Sequence, residues 1–210
     1  MPIVIIVEPY CQVNKTVSSS THANNQLNYI KAILSRSLNI NKGGSKKSAA
    51  VMVILTLIDK QLNVLFTHRT NTVSTHKDQV SFPGGLHEID DDGLIHTALR
   101  ETEEEIGLKI EKNEILGRLP ALNSISGFQI HPFIYFIETL PQLEINYKEV
   151  KHTFVVPLDW IIDRKNWNYQ IIKSTNTKER RVVVFKKFKN EIVWGITGQL
   201  LVSFVDLLLM

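Results

Sequence analysis

Residues 84 to 108, "GGLHEIDDDGLIHTALRETEEEIGL", open on two glycines and then crowd carboxylates into a segment that nothing interrupts as a helix from Asp92 or Gly93 to Gly107. Gly107 suits a C-terminal stop, because glycine adopts the left-handed conformation that ends many helices. At about 100° per residue, Glu101, Glu104 and Glu105 project within an arc of roughly 100°, and Ile95, Leu99, Thr102 and Ile106 fall on a neighbouring arc centred roughly 130° away. The segment is therefore expected to bury one side and present three carboxylates on another, with Arg100 and Glu103 pointing elsewhere. Two like charges about 4 Å apart repel by roughly 4 kcal/mol at an effective dielectric of 20. A hard divalent cation, which takes oxygen ligands, is the natural compensation. Glycines ahead of the helix let backbone groups approach the same ion or a phosphate.

The rest of the chain supplies a scaffold for such a helix. "AAVMVILTLI" and "LNVLFTHRT", joined by "DKQ", read as a β-hairpin, and the wholly apolar first run suggests a strand covered on both faces. Further strands are expected at "ILGRL", "IHPFIYFIE", "HTFVVPL", "YQIIKS" and "RVVVFKKF". Strands interspersed with a few helices imply an α/β or α+β layered fold. Residues 1 to 48 read as an appendage: a strand within 1 to 20, a helix over 24 to 38 with Leu27, Ile30, Leu34 and Leu38 in phase, and a linker at "NKGGSKKS". The main domain is expected over residues 49 to 210. The appendage could extend the sheet, form a lid or make a homodimer contact.

Of the 210 residues, 43% are apolar, enough for a buried core, and the formal charge of +3 suits a small anionic ligand better than nucleic acid. "KERRVVVFKKFK" concentrates basic residues, but apolar ones interrupt them as in a solvated edge hairpin. Cys11 is the single cysteine, which rules out an intramolecular disulfide and fits a reducing compartment such as the cytoplasm. The apolar end, "GITGQLLVSFVDLLLM", is shorter than the roughly 20 residues of a membrane span and is expected as a buried helix.

"RETEEEIGL" preceded by "PGG" resembles the Nudix box, with Arg100, Glu101, Glu104, Glu105, Gly107 and Leu108 in register. Thr102 stands at an apolar position, Asp91 at the upstream carboxylate, and the interval from Gly85 to Arg100 is one residue longer than usual. "LFTHRTNTVSTHKDQVSFPGG" further resembles the signature of the coenzyme A diphosphatase branch through Thr67, Arg69, His76, Gln79, Phe82, Pro83, Gly84 and Gly85. In that branch the longer box and the aspartate are usual. Ser74 replaces a frequent arginine, and Asp78 replaces a glycine, which would add negative charge beside an anionic substrate. Similarity continues through "LPALNSISGFQIHPF", "EVKHTFVVPL" and "VWGITGQLL".

The resemblance implies an α/β/α sandwich with a mixed sheet and a loop-helix-loop box. It implies Mg²⁺- or Mn²⁺-dependent hydrolysis of a diphosphate in a nucleotide derivative, giving 3′,5′-ADP and 4′-phosphopantetheine when the substrate is coenzyme A. Metal ligation would fall to Glu101, Glu104, Glu105 and the Gly85 carbonyl, with a box glutamate or Glu149 as general base and Arg100 orienting the glutamates. Substrate contacts would fall to Arg69, His76, Gln79, Phe82 and Gly84. Ser74 and Asp78 leave ADP-ribose, dinucleotides and nucleoside triphosphates open as alternative substrates, and a silent ligand-binding module would be expected to lack the box glutamates.

Overall fold

In the computed structural model, which describes residues 19 to 35, 47 to 71, 78 to 174 and 177 to 210, the apolar hairpin forms the middle of the molecule. Strand β1 (Ser48–Ile58) turns through Asp59 and Lys60, both at positive φ, into β2 (Gln61–Arg69), with Ile58 opposite Gln61. Two residues in that conformation make the tight turn whose twist matches paired strands, so Gln61 belongs to the strand instead of the loop. β1 is buried on both sides. Ala50, Met52 and Ile54 pack on one face of the sheet and Val53 and Leu55 on the other.

One edge of β1 is taken along its length by the parallel strand β7 (Gln129–Ile137), from Ser48 opposite Gln129 to Thr56 opposite Ile137. Its other edge is divided between β2, which pairs with residues 54 to 58, and the short β4 (Gly84–Leu86), which pairs antiparallel with residues 49 to 51. β3 (Val80–Ser81) continues along β2, and the Pro83 carbonyl accepts from the Met52 amide at 2.8 Å where the two partners of β1 diverge. β5 (Ile115–Arg118) and β6 (Leu122–Asn123) pair with β7, and β8 (Val150–Pro157) pairs antiparallel with β2. The sheet is therefore mixed, as expected, and Gly84 and Gly85 lie where its central edge splits.

Helix α2 (Leu94–Ile106) covers one face through Leu94, Ile95, Ala98 and Ile106. On the other face lie α1 (Ser19–Leu34), the short α3 (Leu158–Ile162) and α4 (Gly195–Leu208), with a hairpin of β9 (Trp167–Ser174) and β10 (Thr177–Phe185). α1 places Ala23, Leu27, Ile30 and Leu34 in the same core as Phe66, Val156 and Phe204. Leu38, the strand expected within residues 1 to 20 and most of the linker lie outside the described residues; Ser48, its last residue, already belongs to β1. α4 is the buried terminal helix read from the sequence. Among the described residues no helix is long and apolar enough to cross a membrane.

Candidate active site

α2 carries the carboxylates to the split in the sheet. Gly107 closes it at φ 70° with its amide bonded to the Glu103 carbonyl, as a left-handed cap requires. Thr102 is buried where the box usually has an apolar residue. Its hydroxyl is satisfied by the Ala98 carbonyl one turn back, at 2.6 Å, so the polar atom costs the core little.

The three glutamates do not share one solvated face. Glu104 is 54% exposed, but the Glu105 side chain is 1% exposed because Arg69 and the Gly84 backbone close over it. Glu105 Oε1 accepts from Arg69 Nη1 at 2.9 Å, and its Oε2 lies 3.4 Å from the Gly84 amide. Burial nevertheless drives the Glu105 pKa up, to about 8, with Arg69 opposing the rise and Glu101 and Glu149 adding to it. Glu101, partly buried, is also raised, first by burial and then by Glu104 and Glu149, against the pull of Arg100.

The glycines allow this crowding. A Cβ on Gly85 would lie 2.4 Å from the Glu101 carboxylate, and one on Gly84 would lie 2.3 Å from the Ala50 carbonyl oxygen of β1. A side chain at Gly84 would strike the β1 backbone, and one at Gly85 would displace the Glu101 carboxylate.

Arg100 does not point away from the glutamates as the helical angles suggest, because its long side chain bends back over them. Nη1 donates to Glu101 at 2.9 Å and to Glu104 at 3.1 Å, while Nε and Nη2 grip Asp91 at 2.9 and 3.2 Å. The Asp91 side chain is 2% exposed and also accepts from Thr97 and the Glu88 amide. Burial would raise its pKa, but Arg100, the Glu88 amide, Thr97 and His96 together hold it far below the usual carboxylate range. Thr97 and His96 escaped the sequence reading; their spacing from Asp91, six and five residues across a loop-to-helix turn, carries no periodic signal.

Of the other expected residues, Glu149 stands near the cluster, since its charge raises both Glu101 and Glu105, and its carboxylate accepts from Asn146 at 3.2 Å. Arg69, expected at a substrate phosphate, pairs in the structure with Glu105, whose burial demands a counter-ion. Gly84 likewise turns its amide to Glu105. Gln79 holds the Arg69 amide through its backbone carbonyl at 2.9 Å, positioning the strand end that carries the guanidinium. Phe82 is 2% exposed and stacks on Phe66 with ring centroids 5.1 Å apart, inside the core. His76 and Ser74 lie outside the described residues.

Asp78 has φ 55°, a conformation glycine adopts freely and aspartate tolerates better than most residues. Its carboxylate turns to His68 Nε2 at 3.0 Å and Lys151 Nζ at 3.5 Å. The added negative charge is thus taken up by two basic neighbours.

The site holds Glu101, Glu104, Glu105 and Glu149 against two guanidiniums, one of which Asp91 already occupies. Surplus negative charge, with two carboxylates pushed towards protonation, fits a site for hard divalent ions.

Comparison with known proteins agrees with this geometry. Residues 46–175 match the family model described as the NUDIX domain. A Nudix hydrolase NudL, described as uncharacterised, from Photorhabdus laumondii is 33% identical over 150 residues, covering 71% of this chain and 79% of that protein. Its namesake from Pectobacterium atrosepticum is 32% identical over 156 residues, covering 74% and 80%. A MutT/nudix family protein from Enterococcus faecalis shares the fold, with a TM-score of 0.53 and 14% identity over 91% of this chain and 73% of that one. Enzymes of this kind generally require a divalent ion such as Mg²⁺ or Mn²⁺ and act on small nucleotides. By its domain match, its relatives and its box geometry, the chain belongs to the Nudix family, as a hydrolase of pyrophosphate bonds.

Proposed function

We propose that the chain cleaves the diphosphate of coenzyme A or an acyl-coenzyme A, releasing 3′,5′-ADP and 4′-phosphopantetheine or its acyl form. The observation that carries the hydrolytic part is the approach of Glu101 to Gly85 and of Glu105 to Gly84, with Glu104 joined to Glu101 through Arg100. The coenzyme A part rests on the sequence signature from Thr67 to Gly85.

Glu101, Glu104, Glu105 and the Gly85 carbonyl would hold Mg²⁺ or Mn²⁺, which when bound neutralises diphosphate charge and makes water more acidic. Arg100, anchored on Asp91, keeps Glu101 and Glu104 oriented. A box glutamate or Glu149 takes the proton of the attacking water as its oxygen bonds to one phosphorus. The bridging P–O bond then breaks, and the leaving phosphate carries off the electron pair. Arg69 can turn to a substrate phosphate when Glu105 finds another cation, since its planar fork suits either partner.

Incubation with coenzyme A, ADP-ribose, NADH and mixed nucleoside triphosphates in Mg²⁺ or Mn²⁺, with products identified by mass, tests the reading. Dominant 3′,5′-ADP and 4′-phosphopantetheine is the expected result. Intact coenzyme A beside a cleaved competitor would transfer the assignment to that substrate.

A further inference from the structure

A second group of metal-ligating side chains lies apart from the glutamates of α2. His68 near the end of β2 stands opposite His152 on β8, their ring centroids 4.9 Å apart, and Glu191 reaches them from the turn that precedes α4. His68 Nδ1 is 2.7 Å from Glu191 Oε2, and His152 Nε2 is 3.0 Å from Glu191 Oε1. One donor atom from each residue fits within a sphere of contact in which all lie within 4.8 Å of one another. His68 and Glu191 are mostly shielded, while His152 is 41% exposed, leaving one side open to solvent.

The hydrogen-bond inventory of this group is unbalanced. A neutral imidazole carries a single N–H. Asp78 faces His68 Nε2 at 3.0 Å, and donating that N–H to Asp78 leaves the Nδ1 lone pair aimed at a carboxylate oxygen. At 2.7 Å the two atoms share a proton, and a bound ion would take that proton's place as the donor atoms open to coordination distance.

We propose that His68, His152 and Glu191 form a second cation site that takes a borderline divalent ion such as Zn²⁺, with Asp78 fixing the His68 tautomer. Two imidazole nitrogens and a carboxylate oxygen are a donor set that zinc accepts, and water would complete the shell on the open side of His152. Asp78 supplies the outer carboxylate that commonly accepts the second N–H of a metal-bound histidine. This gives the residue standing in place of glycine a positive role. Mg²⁺ prefers oxygen ligands, so the two sites would sort ions by ligand type. The ion would tie β2, β8 and the turn before α4 together, next to the strand end that presents Arg69.

The test uses the full chain, stripped with chelator and held in excess Mg²⁺, titrated calorimetrically with Zn²⁺ and, for its visible spectrum, with Co²⁺. The expected result is a single strong Zn²⁺ site and a Co²⁺ band. His152→Gln, at the more exposed ligand, should weaken both at least tenfold, and Asp78→Asn, which keeps the backbone geometry accessible, should weaken Zn²⁺ about tenfold or more. Glu104→Gln should leave Zn²⁺ affinity unchanged. Circular dichroism confirms that each variant is folded. No Zn²⁺ binding in Mg²⁺, unchanged affinity in folded His152→Gln, or an equal loss in Glu104→Gln would overturn the proposal.

Discussion

Arg69 Nη1 lies 2.9 Å from Glu105 Oε1, joining the end of a central strand to the most deeply buried carboxylate of α2. The pair couples the sheet to the candidate metal face, and it does so with a glutamate that burial already pushes towards protonation, to about 8.

Replacing Arg69 by Met should therefore destabilise the metal-free protein in a pH-dependent way. The folded pKa of Glu105 exceeds its unfolded value, so its contribution to stability is complete below about pH 4.5 and is lost as pH rises through about 8. Without Arg69 the charged form loses its partner, and the folded pKa rises further. Urea denaturation should show a small difference between wild type and Arg69→Met at pH 6 and one that grows to about 1.4 kcal/mol at pH 9, one pH unit above the wild-type pKa. A difference independent of pH would mean that Arg69 stabilises by packing alone.

Asp91 carries the opposite dependence. Its folded pKa lies below the ordinary value, so the stability it supplies is present above about pH 4 and is lost as pH falls. Asp91→Asn should cost about 3 kcal/mol at pH 7, because it leaves Arg100 partly buried without its main partner. The variant should also lose less stability than wild type between pH 5 and pH 3. Equal acid slopes for the two proteins would locate acid sensitivity elsewhere.

Glu104→Gln separates chemistry from folding. Glu104 is largely exposed and takes only one of the Arg100 hydrogen bonds, so Asp91 keeps its grip on the guanidinium when the carboxylate becomes an amide. The expected outcome is a fall in kcat of about 10²-fold or more with Tm unchanged within a degree or so. Full turnover in this variant would remove Glu104 from the site.

The fold was legible because its signals are local. The apolar run of β1, the periodicity of α2 and Gly107 each act over a few residues, and each has the expected structure. The site was legible only in outline. Which residues gather near the split sheet follows from the box spacing, but the partners of each side chain depend on contacts between distant segments. Arg69 with Glu105, 36 residues apart, and His68 with Glu191, 123 apart, leave no trace in periodicity. Phe82 lies beside the glycines in sequence, but that its ring turns into the core is visible only in the structure. Asp78 departs from the glycine of the related signature, yet it holds a positive φ that glycine adopts freely.

Ion binding at the glutamates should be linked to the proton on Glu105. A carboxylate must be deprotonated to ligate a metal, and at neutral pH most of the metal-free protein would hold that proton, given a pKa of about 8. Mn²⁺ affinity measured by calorimetry should therefore climb with pH, by up to about tenfold per unit where Glu105 dominates, and level off above about pH 8. The same titrations in two buffers of different ionisation enthalpy should reveal net proton release at pH 7 and little at pH 9. Glu105→Gln, which cannot release a proton, should bind Mn²⁺ weakly with a flatter pH dependence over this range, and should be more stable than wild type at pH 9 when metal-free. If the wild-type affinity were flat from pH 6 to 9 with no proton released, Glu105 would be an anchor for Arg69 and not a ligand, leaving Glu101 and Glu104 to hold the ion.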